Sequence, residues 1–232
     1  MQQYARSLDP RTAETRQRLI DESLKLFAEH GFKGVSVRDI AAAAQANVAA
    51  VSYHFGSKQG LYRTLFETVL DEDEGRFREQ MENLDLLLTR AGSDPALLAA
   101  ALEILVAGVV GRLARFERLR WFSVLVAREL AFPGEPFDLL YRRRVEPALG
   151  IMARILGAAW GLPPDGERVR IGANVVYGQM ANLAFSRPIL WRQLEWDELS
   201  PERLERLART IADLLCRTCG LVPHPAGLGV DR

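Results

Sequence analysis

Residues 36–58 read SVRDIAAAAQANVAAVSYHFGSK, and their types and spacing suit contact with phosphates and base edges. Ser36 followed by Asp39 is a capping box that opens a short Ala-rich helix, Val37–Ala44. The exposed amides and positive dipole end at Ser36 and Val37 suit a phosphate. Asn47 is a good N-cap for a second short helix, Val48–His54, which Gly56 closes. Two short helices joined by a tight turn, the second presenting small and polar residues, have the form of a helix-turn-helix. A helix that enters the major groove must keep its outward face slim so that backbone and side chains can approach base edges. The outward candidates are Val48, Ala49, Ser52, Tyr53 and His54, whereas Val51 and Phe55 have the spacing of core anchors. Lys58 begins the next helix, where it can reach the nucleic-acid backbone from the other side. The same pattern also suits any small three-helix domain, so these residues alone leave both readings open.

Other chemistry finds little support. No G-x-S-x-G, glycine-rich phosphate loop, H-E-x-x-H or G-x-G-x-x-G occurs, and His30, His54 and His224 are scattered. Cys216 and Cys219 form a C-x-x-C that ends a helix, unlike a redox motif that opens one, and no second pair exists for zinc. They read as small apolar residues, with a redox switch as the alternative. No catalytic residue, cofactor or metal is therefore expected, and the chain is not read as an enzyme.

Composition sets the frame. The 232 residues are 48% hydrophobic and 26% charged, with 30 basic and 30 acidic side chains, which argues against a histone-like chain or an acidic disordered one. Residues 1–63 hold nine basic and six acidic side chains, leaving 21 and 24 for the remainder, so a polyanion partner is sought at the N-terminal end. The opening MQQYARSLDPRTAETRQR lacks the apolar core of a signal peptide, and two cysteines do not make a secreted scaffold. The least polar stretches, Leu97–Gly111 and Ile171–Ser186, fall short of the roughly 20 apolar residues of a membrane span. A cytoplasmic protein without a membrane partner is expected.

The elements that must hold residues 36–58 are helical throughout. Leu19, Ile20, Leu24, Phe27 and Ala28 place a helix over Arg11–His30, stopped at Gly31. Further helices are expected from Lys58 towards Arg78, over 94–115, 119–130, 136–156 with a kink or join at Pro147, 167–186 and 200–219. The stretches Asp71–Asp85 and Arg187–Leu199 read as polar or broken, and Arg142–Arg144 as a solvated face. This is an all-α protein of about nine helices. Ile171–Ser186 carries no charge, so its helix should be buried on more than one side, either in the core or against another subunit. The stripe Leu204, Leu207, Ile211, Leu214 and Leu215 could complete such an interface.

The run from Arg16 to Tyr62, with LFAEHGF, VRDIA, YHFGSK and GLY, resembles the N-terminal domain of TetR-family transcriptional regulators. NVAAVSYHFGSKQGLY, SVLVARELAFPGEPFDLLYRRRVEPAL and YGQMANLAFSRPILWRQLEW look like the CecR-like subgroup. The resemblance implies a helix-turn-helix domain at 1–62, a larger effector-binding and dimerisation domain at 63–222, and a flexible tail at 223–232. It implies a homodimer that binds an inverted-repeat operator in double-stranded DNA and is released by a small-molecule effector. Carried onto this sequence, Ser36, Val37, Tyr53, His54 and Lys58 would hold phosphates, and Arg38 counts among the DNA-binding residues. Val48, Ala49, Ala50 and Ser52 would lie against bases, and Asn47 would cap the reading helix. Gln45 stands where the family's turn usually has glycine, Ala46 where it usually has valine, and Val48 where many members present lysine or threonine. The turn is thus expected to differ in shape.

The resemblance also implies an effector pocket among the middle helices. Trp121, Tyr141 and Tyr177 belong to an aromatic cluster there, and Arg128, Glu129, Asn174 and Gln179 are polar residues on or beside apolar runs. Structural hydrogen bonding across helices is the competing role for each. Arg128 and Glu129 are sequence neighbours and must find separate partners. The alternative function is a helical small-molecule carrier or interaction module whose three-helix domain no longer reads DNA.

Overall fold

The computed structural model describes residues 10–115 and 117–221, with the side chains of 113–120, 184 and 185 outside that description. The tail expected at 223–232 lies outside the described residues. Among them no strand occurs. The helices are α1 (Pro10–Gly34), α2 (Val37–Ala43), α3 (Val48–Phe55), α4 (Lys58–Glu72), α5 (Glu74–Ala91), α6 (Pro95–Arg115) and α7 (Glu117–Ala131). They continue with α8 (Phe137–Leu140), a π-helical turn (Tyr141–Val145), α9 (Glu146–Trp160), α10 (Glu167–Leu194) and α11 (Pro201–Cys219). The count exceeds nine because a break at Asp73 separates α5 from α4, and the π turn separates α8 from α9.

The chain divides into two compact units. One comprises Met1–Asp71 with Trp121–Leu140, the other Glu72–Arg120 with Tyr141–Arg232. The expected boundary at residue 62 falls inside α4, and the return of Trp121–Leu140 to the first unit has no signal in local periodicity.

The first unit is built on Leu19, Ile20, Leu24 and Phe27 of α1, Ile40 of α2, Val51 of α3 and Leu61, Leu65 and Phe66 of α4, none more than 1% exposed. Burying each such side chain contributes roughly 1.5–3 kcal/mol. Tyr62 sits in an aromatic chain, with ring centroids 5.0 Å from Phe27, 5.0 Å from Phe32 and 5.2 Å from Phe66. Phe66 continues the chain to Phe122 at 5.0 Å. α1 breaks where expected, at Gly31, whose φ of 74° and ψ of 164° are non-helical.

In the second unit α6 buries Leu98, Leu102, Leu105, Val106 and Val110 in one core with residues of α5, α9, α10 and α11. Residues Pro95–Arg112 are long and apolar enough to cross a membrane, contrary to the shorter apolar run counted from the sequence, but those five side chains are spent on this core. The acidic stretch expected to be irregular is largely helical. In α5 Phe77, Leu84 and Leu88 are buried with Met81 partly so, and their heptad-like spacing leaves the charges on the other face. Pro147 is a join, at the first turn of α9, as expected. Arg143 and Arg144 depart from the solvated face foreseen for them. Both donate to Glu74 Oε2, each at 2.7 Å, and Arg144 lies 4.5 Å from the centre of the Phe77 ring. Burial alone would raise the Glu74 carboxyl, but the bonds from Arg144 and Arg143 outweigh it and hold its pKa below the usual value.

Helix α10 runs past the expected end at Ser186, through Pro188 to Leu194. Proline removes one helical hydrogen bond and bends the axis. Aromatic contacts support the far side: Arg187 lies 4.8 Å from the centre of the Trp191 ring, and Trp191 packs edge-on against Trp196 at 5.4 Å. At the near end Gly172 lies against Trp160, where a Cβ would come within 2.5 Å of the indole. Among the described residues only one side of α10 is covered. Ala173, Val176 and Met180 are buried, whereas Ile171 and Val175 are 57% and 51% exposed.

The turn between α2 and α3 has the form of a Schellman motif. Ala46 N–H donates to Ala41 O at 2.9 Å and Gln45 N–H to Ala42 O at 3.1 Å. Gln45 takes the left-handed conformation itself, at φ 50°, so the turn keeps the shape that glycine favours and stores strain instead. Gln45→Gly should therefore raise stability by up to about 1 kcal/mol, part of it offset by the freer unfolded chain; an unchanged thermal midpoint would contradict the strain. Cys216 and Cys219 are both buried and free, and burial pushes their thiols up to about 12 and about 11. Roughly one Cys216 in ten thousand and one Cys219 in a thousand are then thiolate at pH 8. Disulfide reagents should label both only as fast as the fold opens, and rapid labelling of the native protein would restore the redox reading.

Candidate nucleic-acid interface

The capping box expected at α2 is formed. Ser36 N–H donates to Asp39 Oδ2 at 2.8 Å, and Asp39 N–H donates to Ser36 Oγ at 3.2 Å. The Ser36 hydroxyl and then its amide hold the Asp39 carboxyl below the usual range. Asn47 Oδ1 accepts the Ala49 N–H at 2.8 Å, which starts α3, and Gly56 ends it at φ 75°. Eight residues are too few for a helix to persist alone in water. Packing therefore fixes α3: Val51 is fully buried, and Phe55 is half-buried beneath Arg16, whose guanidinium lies 5.4 Å from the ring centre.

With Val51 inward, the opposite face of α3 is free. Asn47, Val48, Ala49, Ser52 and Tyr53 are exposed, Tyr53 by 76%, and Ala50 and His54 are half-buried. No acidic residue occurs between Asp39 and Glu67, so nothing on α3 repels a phosphate. His54 packs edge-on against Tyr53 at 4.9 Å. Burial, and then the charge of Arg16, push the His54 pKa below the ordinary histidine value. Of the flanking residues, Ser36 and Arg38 are exposed and Val37 is half-buried.

Lys58 has a structural partner that its sequence context did not reveal. Its Nζ donates to Val35 O at 2.6 Å and lies 4.3 Å from the centre of the Phe32 ring. An ammonium has three donors, so this bond leaves capacity for a phosphate while tying the start of α4 to the chain before α2. A second tie also escaped the sequence reading: Arg18 Nε donates to Ala44 O at 3.2 Å, joining α1 to the end of α2. Neither tie has a local signal, since each spans more than twenty residues.

The residues expected to meet an effector are shared between the two units. Trp121, Arg128 and Glu129 belong to the first unit, and Tyr141, Asn174, Tyr177 and Gln179 to the second. Arg128 and Glu129 have the separate partners foreseen, all of them protein groups. Arg128 donates to Ala28 O at 3.3 Å, and Glu129, 5% exposed, accepts from Tyr62 Oη and Gly134 N–H, each at 2.8 Å. Burial and the bond to Glu129 raise the Tyr62 phenol far above its usual pKa. Tyr141 is half-buried, and burial also raises the Tyr177 phenol. Asn174 and Gln179 lie on the exposed side of α10. Asn174 lines an open groove of about 460 Å³ with Asp165, Glu167, Arg170, Ile171 and Val175.

Comparison with known proteins agrees with this arrangement. Residues 19–65 match the bacterial regulatory proteins of the tetR family, and residues 98–219 match the C-terminal domain of the HTH-type transcriptional dual regulator CecR. The chain is 22% identical to that regulator from Shigella flexneri over 85% of its own length and 88% of the relative's. Among solved structures, AibR in complex with isovaleryl coenzyme A and operator DNA aligns at a TM-score of 0.56 and 15% identity, over 86% of this chain and 97% of that one. FadR from Bacillus subtilis in complex with stearoyl-CoA aligns at 0.53 and 19%, over 86% and 96%. These two likenesses concern the fold. With its capped, slim-faced α3 and its matches over both segments, the chain belongs to the TetR family of DNA-binding transcriptional regulators and carries a C-terminal domain of the CecR type.

Proposed function

We propose that the protein is a repressor that binds an inverted-repeat operator as a homodimer and is released by a small-molecule effector. The observation that carries the DNA reading is the outward face of α3, where Val48, Ala49, Ser52 and Tyr53 stand exposed opposite the buried Val51. Val48, Ala49, Ala50 and Ser52 would meet bases by methyl contact and one hydroxyl, so DNA shape would supply much of the specificity. Ser36, Val37, Arg38, Tyr53, His54 and Lys58 would hold phosphates and fix the register.

The pairing surface would be α10 with α11. Ile171, Val175, Gly178 and Asn182 follow heptad spacing on the open side of α10, and Gly178 has nothing within 4 Å of where its Cβ would be. On α11 Leu204, Leu207 and Ile211 are half-buried and Leu214 is 58% exposed, again at heptad spacing. Two such seams on each copy would close into a four-helix interface. Release would follow from linkage: an effector that prefers the dimer with misaligned reading helices lowers operator affinity by its differential affinity, commonly 1–3 kcal/mol. Trp121, Tyr141, Asn174, Tyr177 and Gln179 stand as candidate effector contacts. The effector is unidentified. AibR with isovaleryl coenzyme A and FadR with stearoyl-CoA make acyl-coenzyme A compounds a reasonable first set to screen.

DNA flanking the protein's own gene, searched for an inverted repeat and used in a mobility-shift titration, tests the reading. Tyr53→Phe and Arg38→Ala should each weaken binding several-fold without loss of stability, because both side chains are exposed. Log affinity should fall with log salt at about −0.9 per phosphate neutralised, and the Arg38→Ala slope should be about one unit shallower. Affinity independent of salt would support the carrier alternative. Separately, Val175→Arg or Leu214→Arg should yield folded monomers by sedimentation, with operator binding lost in parallel; a dimer that survived both would place the interface elsewhere.

A further inference from the structure

Helix α7 crosses the division of the chain: its first turn, Glu117–Arg120, belongs to the second unit, and its remainder from Trp121 to the first. At its C-terminal end two neighbouring charged residues grip two different helices of the first unit. Arg128 spans the carbonyls of Ala28 and Glu29 at 3.3 and 3.5 Å. Both carbonyls lie within one turn of the break at Gly31, and a cation near a helix C-terminus meets the negative end of its dipole. A side chain at Gly31 would obstruct this, since a Cβ there would stand 3.1 Å from the Arg128 guanidinium. Glu129, about a hundred degrees round the helix, accepts the Tyr62 hydroxyl of α4 and the Gly134 amide that ends the following turn.

We propose that Arg128 and Glu129 are positioning residues for operator recognition: they lock the end of α7 to α1 and α4, and through them set the angle at which α3 is offered to DNA. Charge-assisted bonds from one guanidinium nitrogen to α1, and a buried carboxylate on α4, define a direction, which a purely apolar contact would not. The proposal rests on the operator-binding reading above and deepens it.

The test measures spacing discrimination. An operator selected from random duplex DNA is rebuilt with one or two base pairs inserted between its half-sites, which rotates and displaces one half-site relative to the other. Wild-type protein, with both reading helices locked, should lose at least tenfold in affinity per inserted pair. Glu129→Gln, Tyr62→Phe and Arg128→Gln should bind the matched operator three- to tenfold more weakly, yet tolerate the insertions to within about threefold, because the freed α3 can follow the displaced half-site. Circular dichroism and thermal midpoints are read alongside. Arg128→Lys keeps the charge but shortens the reach to the Ala28 and Glu29 carbonyls, so it should also lose the spacing penalty, and it supplies the result should another variant fail to fold. Folded variants that keep the full wild-type spacing penalty overturn the proposal, whatever their stability. If wild-type protein selects no duplex at all, the operator-binding reading itself falls, and that outcome is distinct from loss of the lock.

Discussion

A carboxylate that is 95% removed from solvent persists in a fold only when protein donors replace the water it has lost. Glu129 meets that condition with a phenol from α4 and an amide from its own loop, and the first unit is arranged around the first of these bonds. The Tyr62 ring is held in a chain of aromatic contacts with Phe27, Phe32 and Phe66, so its hydroxyl has little freedom in direction. The ring positions the donor, the donor satisfies the acid, and the acid holds the end of α7 against α4. Removing any one leaves the others costly: a buried acid short of a donor, or a phenol with no acceptor.

The reading helix depends on that framework because it has little stability of its own. α3 is two turns long, and its amides are satisfied at one end by Asn47 while its last turn is closed by Gly56. Its only fully buried side chain is Val51. This economy suits a helix whose outer face must stay slim, since every bulky anchor added to α3 would narrow the surface left for base edges. Anchoring is delegated to neighbours instead: Arg16 over Phe55, Arg18 on the last carbonyl of α2, and Lys58 on Val35. The strained Gln45 fits the same logic, for the α2–α3 turn keeps the form that aligns α3 even without glycine.

What could be read from the sequence was local. Ser36 with Asp39, Asn47, Gly56, Ser200 and Gly220 announce helix ends because a cap needs only residues within one turn of itself. The outward set on α3 followed from the inward positions at Val51 and Phe55, by helical geometry. Three things were hidden. α5 was obscured because its charges outnumber its buried residues, although Phe77, Met81, Leu84 and Leu88 keep the seam. The far half of α10 was obscured by Pro188, whose penalty is local while its compensation, Trp191 against Trp196, comes afterwards. The partners of Arg128 and Glu129 lie 100 and 67 residues away in the chain, and no periodicity reports a contact across such spans. Polar residues beside an apolar run were correctly singled out, but sequence could not say whether their partner would be a ligand or another helix.

Spacing is a property of two copies, so in the proposed dimer the lock in each head and the seam between heads would work in series. Under the proposed dimer, α10 and α11 would set the distance between the two first units, and Arg128 with Glu129 would set the angle of α3 within each. Successive major grooves lie about 34 Å apart on one face of DNA, and an error in either setting is read directly as lost contacts. Stiffness is then worth more than extra base contacts. Under the proposed contacts, a face of methyl groups and one serine hydroxyl would have few hydrogen bonds with which to discriminate, so much of its selectivity would come from holding two modest faces in one geometry.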